Sequence, residues 1–234
     1  MKRTALLVAL AVFGAALAVD ATYTFKVVRK VGETTKTRVT AHVEVQGMQV
    51  DQTFVTEEKV EKIADDGTVT LKTQMKDQKL SLNGQDQPAP TPEGSSTTKI
   101  KSSGELIESD RQEGQPLDVQ QRLSRTSSLI PPKEAVKVGD SWTHVWEQSD
   151  KEKLARAEIT YKVVAEEKVG KWDCVRVEFT FKEKEGAAPI TATGAVWLAK
   201  DTFQSAKSEY TVENFEAPGV PMPLTVKLKT ERID

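Results

Sequence analysis

The sequence predicts a mainly β protein built on one large, strongly curved antiparallel sheet, a half-barrel, with a single central helix. Three observations support this class. Apolar and polar residues alternate with a period of two over long segments, Gly-containing turns separate these segments, and only one segment favours a helix. A β-sandwich is the alternative architecture.

The N-terminus has the pattern of an export signal. Two basic residues precede an apolar run at 5–19, which is too short for the roughly 30 Å hydrocarbon core of a membrane. We therefore predict a signal peptide over 1–18 that is cleaved after Ala18, with cleavage after Ala21 as the alternative. The mature protein is then periplasmic or extracellular and has no membrane span.

The clearest strand lies at 174–182, where one face is apolar and the other is polar. The apolar face carries Val175, Val177, Phe179 and Phe181, and the polar face carries Arg176, Glu178, Thr180 and Lys182. The same alternation occurs at 39–45, 69–75, 157–163 and 224–228. Further strands are expected near 23–28, 80–82, 99–107, 141–146, 191–198 and 206–214. Alternation with one polar face is typical of an antiparallel sheet that is covered on one side.

The predicted helix covers 115–129 and ends before Pro131 and Pro132. We expect a single antiparallel β domain over 19–234. Within it, the order of elements suggests two similar halves, 19–114 and 139–234, joined by a helical linker at 115–138. The Pro-rich segments 85–96 and 217–223 are expected to be excursions from the sheet.

The number of strands creates a covering problem. Ten strands at about 4.8 Å spacing make a ribbon about 48 Å wide with one apolar face. A single helix about 10 Å across covers roughly a fifth of that width. Because large exposed apolar patches mark binding or association surfaces, the sheet must curl around the helix, close on itself, split into a packed pair or keep a groove for an apolar guest. We expect it to curl around the helix, with a plain sandwich as the alternative.

Composition and motifs argue against several function classes. The 33 Lys and Arg residues face 35 Asp and Glu residues, so there is no basic excess for binding nucleic acid. The single Cys174 and two histidines make a multi-cysteine metal site or a catalytic triad improbable, and no nucleophile elbow or phosphate loop occurs. We predict no enzyme activity, cofactor or metal, and a small buried role for Cys174.

Six residues are candidates for contact with an apolar ligand. They are Trp142, His144 and Trp146 on one face of a strand, and Val177, Phe179 and Phe181 on the apolar face of another. In one interpretation, Trp142 and Trp146 form an aromatic wall with His144 as a polar handle. In the other, which we favour, the tryptophans anchor the core and His144 lies at its solvated edge.

The segment after the helix carries a resemblance. Residues 131–142 read PPKEAVKVGDSW and contain the pattern Pro-x-x-x-Val-x-x-Gly-Asp-x-Trp. This pattern resembles the junction that opens the second half of uncharacterised bacterial secreted families. The outline of the chain is also similar to the curved-sheet lipoprotein carriers and receptors of the LolA/LolB-like group, although the chain lacks the acylated N-terminal Cys of the receptors. That resemblance implies an envelope protein with a curved sheet.

These observations lead to two functional hypotheses. The first is a non-enzymatic periplasmic or secreted protein that shelters a hydrophobic small molecule, such as a lipid or acyl chain, in the curved sheet. The second is a structural or interaction protein of the cell envelope, which fills its core with its own side chains and binds another envelope protein.

Overall fold

We examined a computed structural model of the chain. It describes residues 21–89, 94–110, 117–151, 153–184, 189–216, 220 and 222–234. The predicted signal peptide therefore lies outside the described residues.

The described residues form fourteen strands and one helix. In chain order they are β1 (Thr22–Tyr23), β2 (Thr34–Val45), β3 (Met48–Ile63), β4 (Val69–Leu82), β5 (Gln85–Gln87), β6 (Ser96–Ile100), β7 (Leu106–Ser109), α1 (Leu117–Ser127), β8 (Val136–Lys137), β9 (Ser141–Trp146), β10 (Ala157–Val169), β11 (Trp172–Glu183), β12 (Thr191–Ala199), β13 (Ser205–Phe215) and β14 (Leu224–Arg232).

Twelve of these strands form one curved antiparallel sheet, which confirms the predicted fold class. The strand order is β7-β6-β4-β3-β2-β14-β13-β12-β11-β10-β9, with β5 paired to β4. Strands β1 and β8 form a separate two-stranded ribbon. In the described part of the chain, the edge strands β7 and β9 are not paired with each other, so the curved sheet stays open. A single continuous sheet also rules out the sandwich alternative.

The predicted faces of the central strands are confirmed. Along β11, Val175, Val177 and Phe181 are buried, whereas Thr180 and Lys182 are exposed. Neighbouring β10 buries its apolar side chains in the same alternating way. Successive side chains of a strand point to opposite faces, so the period of two predicts which residues share the inner face of these strands.

The structure differs from the predictions at several places. Part of the predicted excursion 85–96 belongs to the sheet, since β5 pairs with β4 and β6 begins at Ser96. The longest strand, β3, was not predicted, because its inner face mixes apolar and polar residues. The strand expected over 99–107 is divided into β6 and β7 by a turn. In this turn the Gly104 amide donates a hydrogen bond to the Lys101 carbonyl at 2.9 Å, and Gly104 adopts a φ of +91°, which favours glycine. The strand expected over 23–28 is limited to the two residues of β1.

The helix α1 lies within the predicted range and is held against β11. The Arg122 guanidinium donates to both carboxylate oxygens of Glu183, at 2.9 and 2.8 Å. Glu183 also accepts a hydrogen bond from the Ile190 amide at 2.9 Å, and its side chain is only 3% exposed. The Arg125 guanidinium lies over the Trp146 ring, 5.5 Å from its centre. These contacts tie α1 to β9 and β11, and the helix also packs against β7 at the opposite edge of the sheet.

The segment after α1 is tied to the core by aromatic side chains. The Tyr161 hydroxyl donates to the Ser128 carbonyl at 2.6 Å and accepts a hydrogen bond from the Ile130 amide at 3.1 Å. The Trp142 indole donates to the Ile130 carbonyl at 2.8 Å. These bonds satisfy backbone groups that follow the end of the helix.

The conspicuous junction pattern has a structural explanation. Gly139 adopts a φ of +97°, which favours glycine, and its amide donates to the Val163 carbonyl at 2.8 Å. The Asp140 carboxylate accepts a hydrogen bond from the Lys137 amide at 3.0 Å. Trp142 then anchors the start of β9. The pattern therefore forms a tight turn that directs the chain from the helix into the sheet.

Candidate ligand-binding groove

The two ends of the sheet differ in how their inner faces are packed. We call strands β9–β12 the filled half. Its inner side chains are sealed from solvent, with Ile159 and Val177 at 0% exposure. Tyr23 and Phe25, near the N-terminus of the described chain, lie over this half, and the Phe25 ring centre is 5.6 Å from that of Trp142. The filled half therefore has its own cover.

We call strands β2, β3, β4 and β14 the open half. Its inner face carries Val39, Phe54, Met75 and Leu228, all of which are only half-buried. One end of this half does carry a small buried cluster, made of Val60, Val69, Leu71 and Ile100. The stretch between that cluster and the filled half is a partly apolar surface inside the curve of the sheet.

Three adjoining cavities occupy this surface, and we call them together the groove. Their volumes are about 330, 590 and 330 Å³. Tyr210 of β13 lines all three cavities, and Leu228 lines two of them. The first cavity extends to Phe179 in the filled half, and the second reaches Phe54 in the open half. Volumes of this size are typical of sites for small molecules.

Tyr210 is placed at the centre of the groove by a glycine on the neighbouring strand. Gly194 of β12 is paired with Tyr210, and a Cβ atom on Gly194 would lie 2.3 Å from the Tyr210 Cβ. The absence of a side chain there allows the close approach. The Tyr210 ring lies 6.0 Å from that of Phe179. Burial raises the pKa of the Tyr210 hydroxyl, which is hydrogen-bonded to the side chain of Ser127.

Charged groups gather at one end of the first cavity. Arg29, Glu58 and Arg232 line this end together with several serines and threonines. Arg232 forms a two-point ion pair with Asp234, at 2.8 Å for both bonds. Burial lowers the pKa of the Arg29 guanidinium, and the negative charges of Glu58 and Glu33 oppose that shift. The groove is therefore amphipathic, with a charged end and an apolar remainder.

The predicted candidates on β9 lie in or beside the core of the filled half. The Trp142 ring stacks on Tyr161 with 4.8 Å between ring centres. Trp146 is buried, and its indole donates to the Glu105 carboxylate at 2.8 Å. His144 is half-buried with its ring centre 4.5 Å from that of Trp146, and burial lowers its pKa. The cover over the filled half occupies the space in which a ligand would meet these side chains.

The candidates on β11 are divided between the core and the groove. Val177 and Phe181 are 0% and 1% exposed, respectively, and are packed on all sides. Phe179 lines the first cavity. Of the six candidate residues, the structure therefore brings only Phe179 into the groove.

Sequence reasoning missed the residues of β3, including Phe54 and Glu58. A usable signal was the Gln46-Gly47 pair between two strand-like segments, since both residues adopt positive φ, at 53° and 79°. Two-residue loops of this kind are typical of β-hairpins. Reading the hairpin would have placed β3 beside β2 and revealed its mixed inner face.

The remaining reactive groups include the thiol of Cys174 and the residue types that bind metal ions. Cys174 is fully buried, as expected for a small core residue, and burial raises the pKa of its thiol. Among the residues that the structure describes, no three His, Cys, Asp or Glu side chains are grouped as a metal site would require. Within the same residues, no helix has the length and apolar character needed to cross a bilayer.

Comparisons with known proteins identify no family. No family model matches the chain, and no curated protein matches it. Three solved structures are similar in part. A structure described as "lipid-protein interactions in lipovitellin" has a TM-score of 0.45 and 9% identity, and the match covers 87% of this chain and 25% of that one. The chain thus spans a quarter of that protein.

The other two similar structures come from bacteria. A putative exported protein with a YmcC-like fold from Bacteroides fragilis has a TM-score of 0.32 and 12% identity, with 91% of this chain and all of that chain covered. A DUF1329 family protein from Desulfovibrio piger has a TM-score of 0.20 and 12% identity, with 87% and 85% covered. All three TM-scores lie below 0.5, so these similarities establish neither a family nor a function. The resemblance to the LolA/LolB-like group stays a prediction.

Proposed function

We propose that the protein is a non-enzymatic binding protein, exported to the periplasm or the cell exterior, which shelters the apolar part of a lipid or acyl chain in the groove. The observation that carries this proposal is the half-buried apolar surface of the open half, which lies inside the curve of the sheet. A soluble protein exposes such a surface at a cost, unless a ligand or partner covers it.

The shape and lining of the groove support a flexible apolar ligand. All three cavities are lined by Tyr210, so they meet around one side chain and together extend from Phe179 to Phe54. Phe54, Phe179 and Leu228 supply apolar surface along this space. An acyl chain is long and narrow, and burying it in such a space stabilises the complex by about 0.8 kcal/mol for each CH₂ group.

The alternative of an envelope protein with a self-filled core agrees with the filled half only. There, Ile159, Val177 and Phe181 leave no space for a ligand. The inner face of the open half is different, because Phe54, with its large ring, stays half-buried. We therefore favour ligand binding over a purely structural role.

A pair of matched substitutions tests this proposal. Val39 and Val55 are both half-buried, on paired strands, but Val39 lines the groove and Val55 lies on the other face of the sheet. Val39→Trp should fill part of the groove and weaken the binding of a fluorescent fatty acid by at least tenfold. Val55→Trp should leave that binding unchanged.

The measurement is a fluorescence titration of the full chain, after any co-purified lipid has been identified by native mass spectrometry and removed. Thermal melting of both variants shows that each is folded. The proposal is overturned if the delipidated protein takes up no fatty acid, or if Val39→Trp and Val55→Trp bind it equally well. Either result would favour the envelope protein with a self-filled core.

A further inference from the structure

Two opposite charges face the first cavity without touching each other. Arg29 and Glu58 both line it, and both are half-buried. Their charges are close enough to interact, because Glu58 favours the charged form of Arg29. Yet within the described part of the chain, neither side chain has a hydrogen bond or an ion pair.

The other charged groups at this end are already paired. Arg232 is bound by Asp234, and Glu33 accepts hydrogen bonds from the Gln204 amide group at 2.9 Å and from the Lys30 backbone amide at 3.0 Å. On β3 itself, the neighbouring Glu57 points to the other face and is paired with Lys76 at 3.0 Å. One cation and one anion are therefore left without direct partners, and both face the groove.

A half-buried charge without a partner costs free energy, because it loses water without gaining a hydrogen bond. The attraction between Arg29 and Glu58 offsets part of this cost in the ligand-free protein, but neither side chain gains a hydrogen bond from it. A ligand group that carries both charges removes it at both positions. A purely anionic group would bring a negative charge next to Glu58, and an uncharged group would leave both side chains unpaired.

We propose that the ligand is an amphiphile with a zwitterionic phosphate–ammonium head group, whose phosphate binds Arg29 and whose ammonium binds Glu58. The guanidinium of an arginine matches a phosphate with two parallel hydrogen bonds, and a carboxylate accepts hydrogen bonds from an ammonium. The acyl chain then runs from this end past Phe179 and Tyr210 towards Phe54. This inference rests on the proposed function, since it assigns the head group of the sheltered lipid.

The test compares three single-chain lipids with the same acyl chain: lysophosphatidylethanolamine, lysophosphatidylglycerol and monoacylglycerol. Isothermal titration of the delipidated full chain gives the Kd for each lipid below its critical micelle concentration. We expect lysophosphatidylethanolamine to bind at least tenfold more tightly than either of the others.

Two substitutions separate the roles of the two charges. Glu58→Gln should remove the preference for lysophosphatidylethanolamine over lysophosphatidylglycerol. Arg29→Gln should weaken the binding of both phospholipids at least tenfold and leave monoacylglycerol unaffected. The matched controls are Glu57→Gln and Arg38→Gln, which change the same residue types on the outer face, and they should bind all three lipids as the unchanged protein does.

Each outcome separates this inference from the proposed function. Equal affinity for the three lipids, or a preference for lysophosphatidylglycerol or monoacylglycerol, overturns the zwitterionic head group but keeps the lipid groove. No binding of any lipid overturns both. Thermal melting of Arg29→Gln and Glu58→Gln checks that both variants are folded when the lipids are compared.

Discussion

The filled half and the open half belong to one sheet and share the same alternation of apolar and polar residues, but their inner faces are buried to different extents. In the filled half, the inner residues of β10 from Ala157 to Val163 are apolar and buried. In the open half, the inner residues of β3 include Gln52, Thr56 and Glu58 next to Phe54. The alternation of residues therefore predicts which face of the sheet a side chain occupies. The proportion of apolar residues on that face predicts whether the face is buried from solvent.

The position of the covering segments explains why the inner faces of the two halves are buried to different extents. Helix α1 is held over the filled half by the Arg122–Glu183 ion pair, and the chain after it is held by Tyr161. Tyr23 and Phe25 complete this cover. The helix also packs against β7 at the other edge of the sheet and lines one cavity of the groove. It therefore bridges the curve of the sheet and still leaves Val39, Phe54 and Met75 half-buried.

The largest expected difference between the halves is the cost of truncating a phenylalanine. Phe181→Ala in the filled half should lower the free energy of unfolding by about 3–5 kcal/mol, since it leaves a cavity in a closed core. Phe54→Ala in the open half should cost only about 1 kcal/mol, because its ring is already half-exposed. Urea denaturation of the ligand-free protein measures both values, and equal costs would contradict the division into a filled and an open half.

The ion pair between the helix and β11 should also matter more than an exposed ion pair between β6 and β7, at the other edge of the sheet. Arg122→Met leaves the Glu183 carboxylate buried with one charged partner fewer, and we expect it to cost about 3 kcal/mol. The control is Lys99→Met, which removes an exposed pair with Glu108 and should cost less than about 1 kcal/mol. Urea denaturation compares the two, and a cost for Arg122→Met no larger than that for Lys99→Met would show that the helix is not anchored in this way.

Alkaline pH should weaken the filled half through its tyrosines. All three tyrosines of the chain, Tyr23, Tyr161 and Tyr210, belong to its core or pack against it. Burial raises the pKa of Tyr23 to about 12, with a contribution from its hydrogen bond to Glu166, and burial also raises the pKa of the other two. Unfolded tyrosine loses its proton near pH 10, so above that pH the unfolded state binds fewer protons than the folded state.

These tyrosines should therefore leave the free energy of unfolding unchanged below about pH 9. As the pH rises from about 10 to about 12, the free energy of unfolding should fall by about 1.4 kcal/mol per pH unit for each tyrosine that stays protonated in the folded protein. Urea denaturation at several pH values measures this slope, and Tyr23→Phe should reduce it. Tyrosinate absorbance follows the groups directly. Absorbance that rises near pH 10 while the protein is still folded would mean that water reaches the tyrosines of the filled half.

Much of the fold could be predicted because it depends on local patterns. The alternation at 157–163 and 174–182 identified strands and their buried faces, and the prolines at 131 and 132 placed the end of the helix. The long strand β3 was missed because its inner face, which carries Gln52 and Glu58, does not alternate in hydrophobicity. Mixed polarity is what makes that face suitable for an amphipathic groove.

The candidate site was far harder to predict than the fold. Phe179 was identified from its face, but Val177 and Phe181 share that face and lie in the closed core. No pattern in the neighbouring sequence distinguishes these three side chains. Their difference arises from Tyr210, which comes from β13 and reaches Phe179 because Gly194 has no side chain.

By itself, the sequence determined the antiparallel sheet, the inner face of its central strands and the helix at 117–127, because each follows from the spacing of residues a few positions apart. The tertiary structure alone decided which half is covered and which charges meet in the groove. Arg29 precedes β2, whereas Glu58 lies in the following hairpin strand and Tyr210 near the end of the chain. Contacts between such distant segments depend on how the sheet curves and where the helix is anchored, which no local pattern encodes.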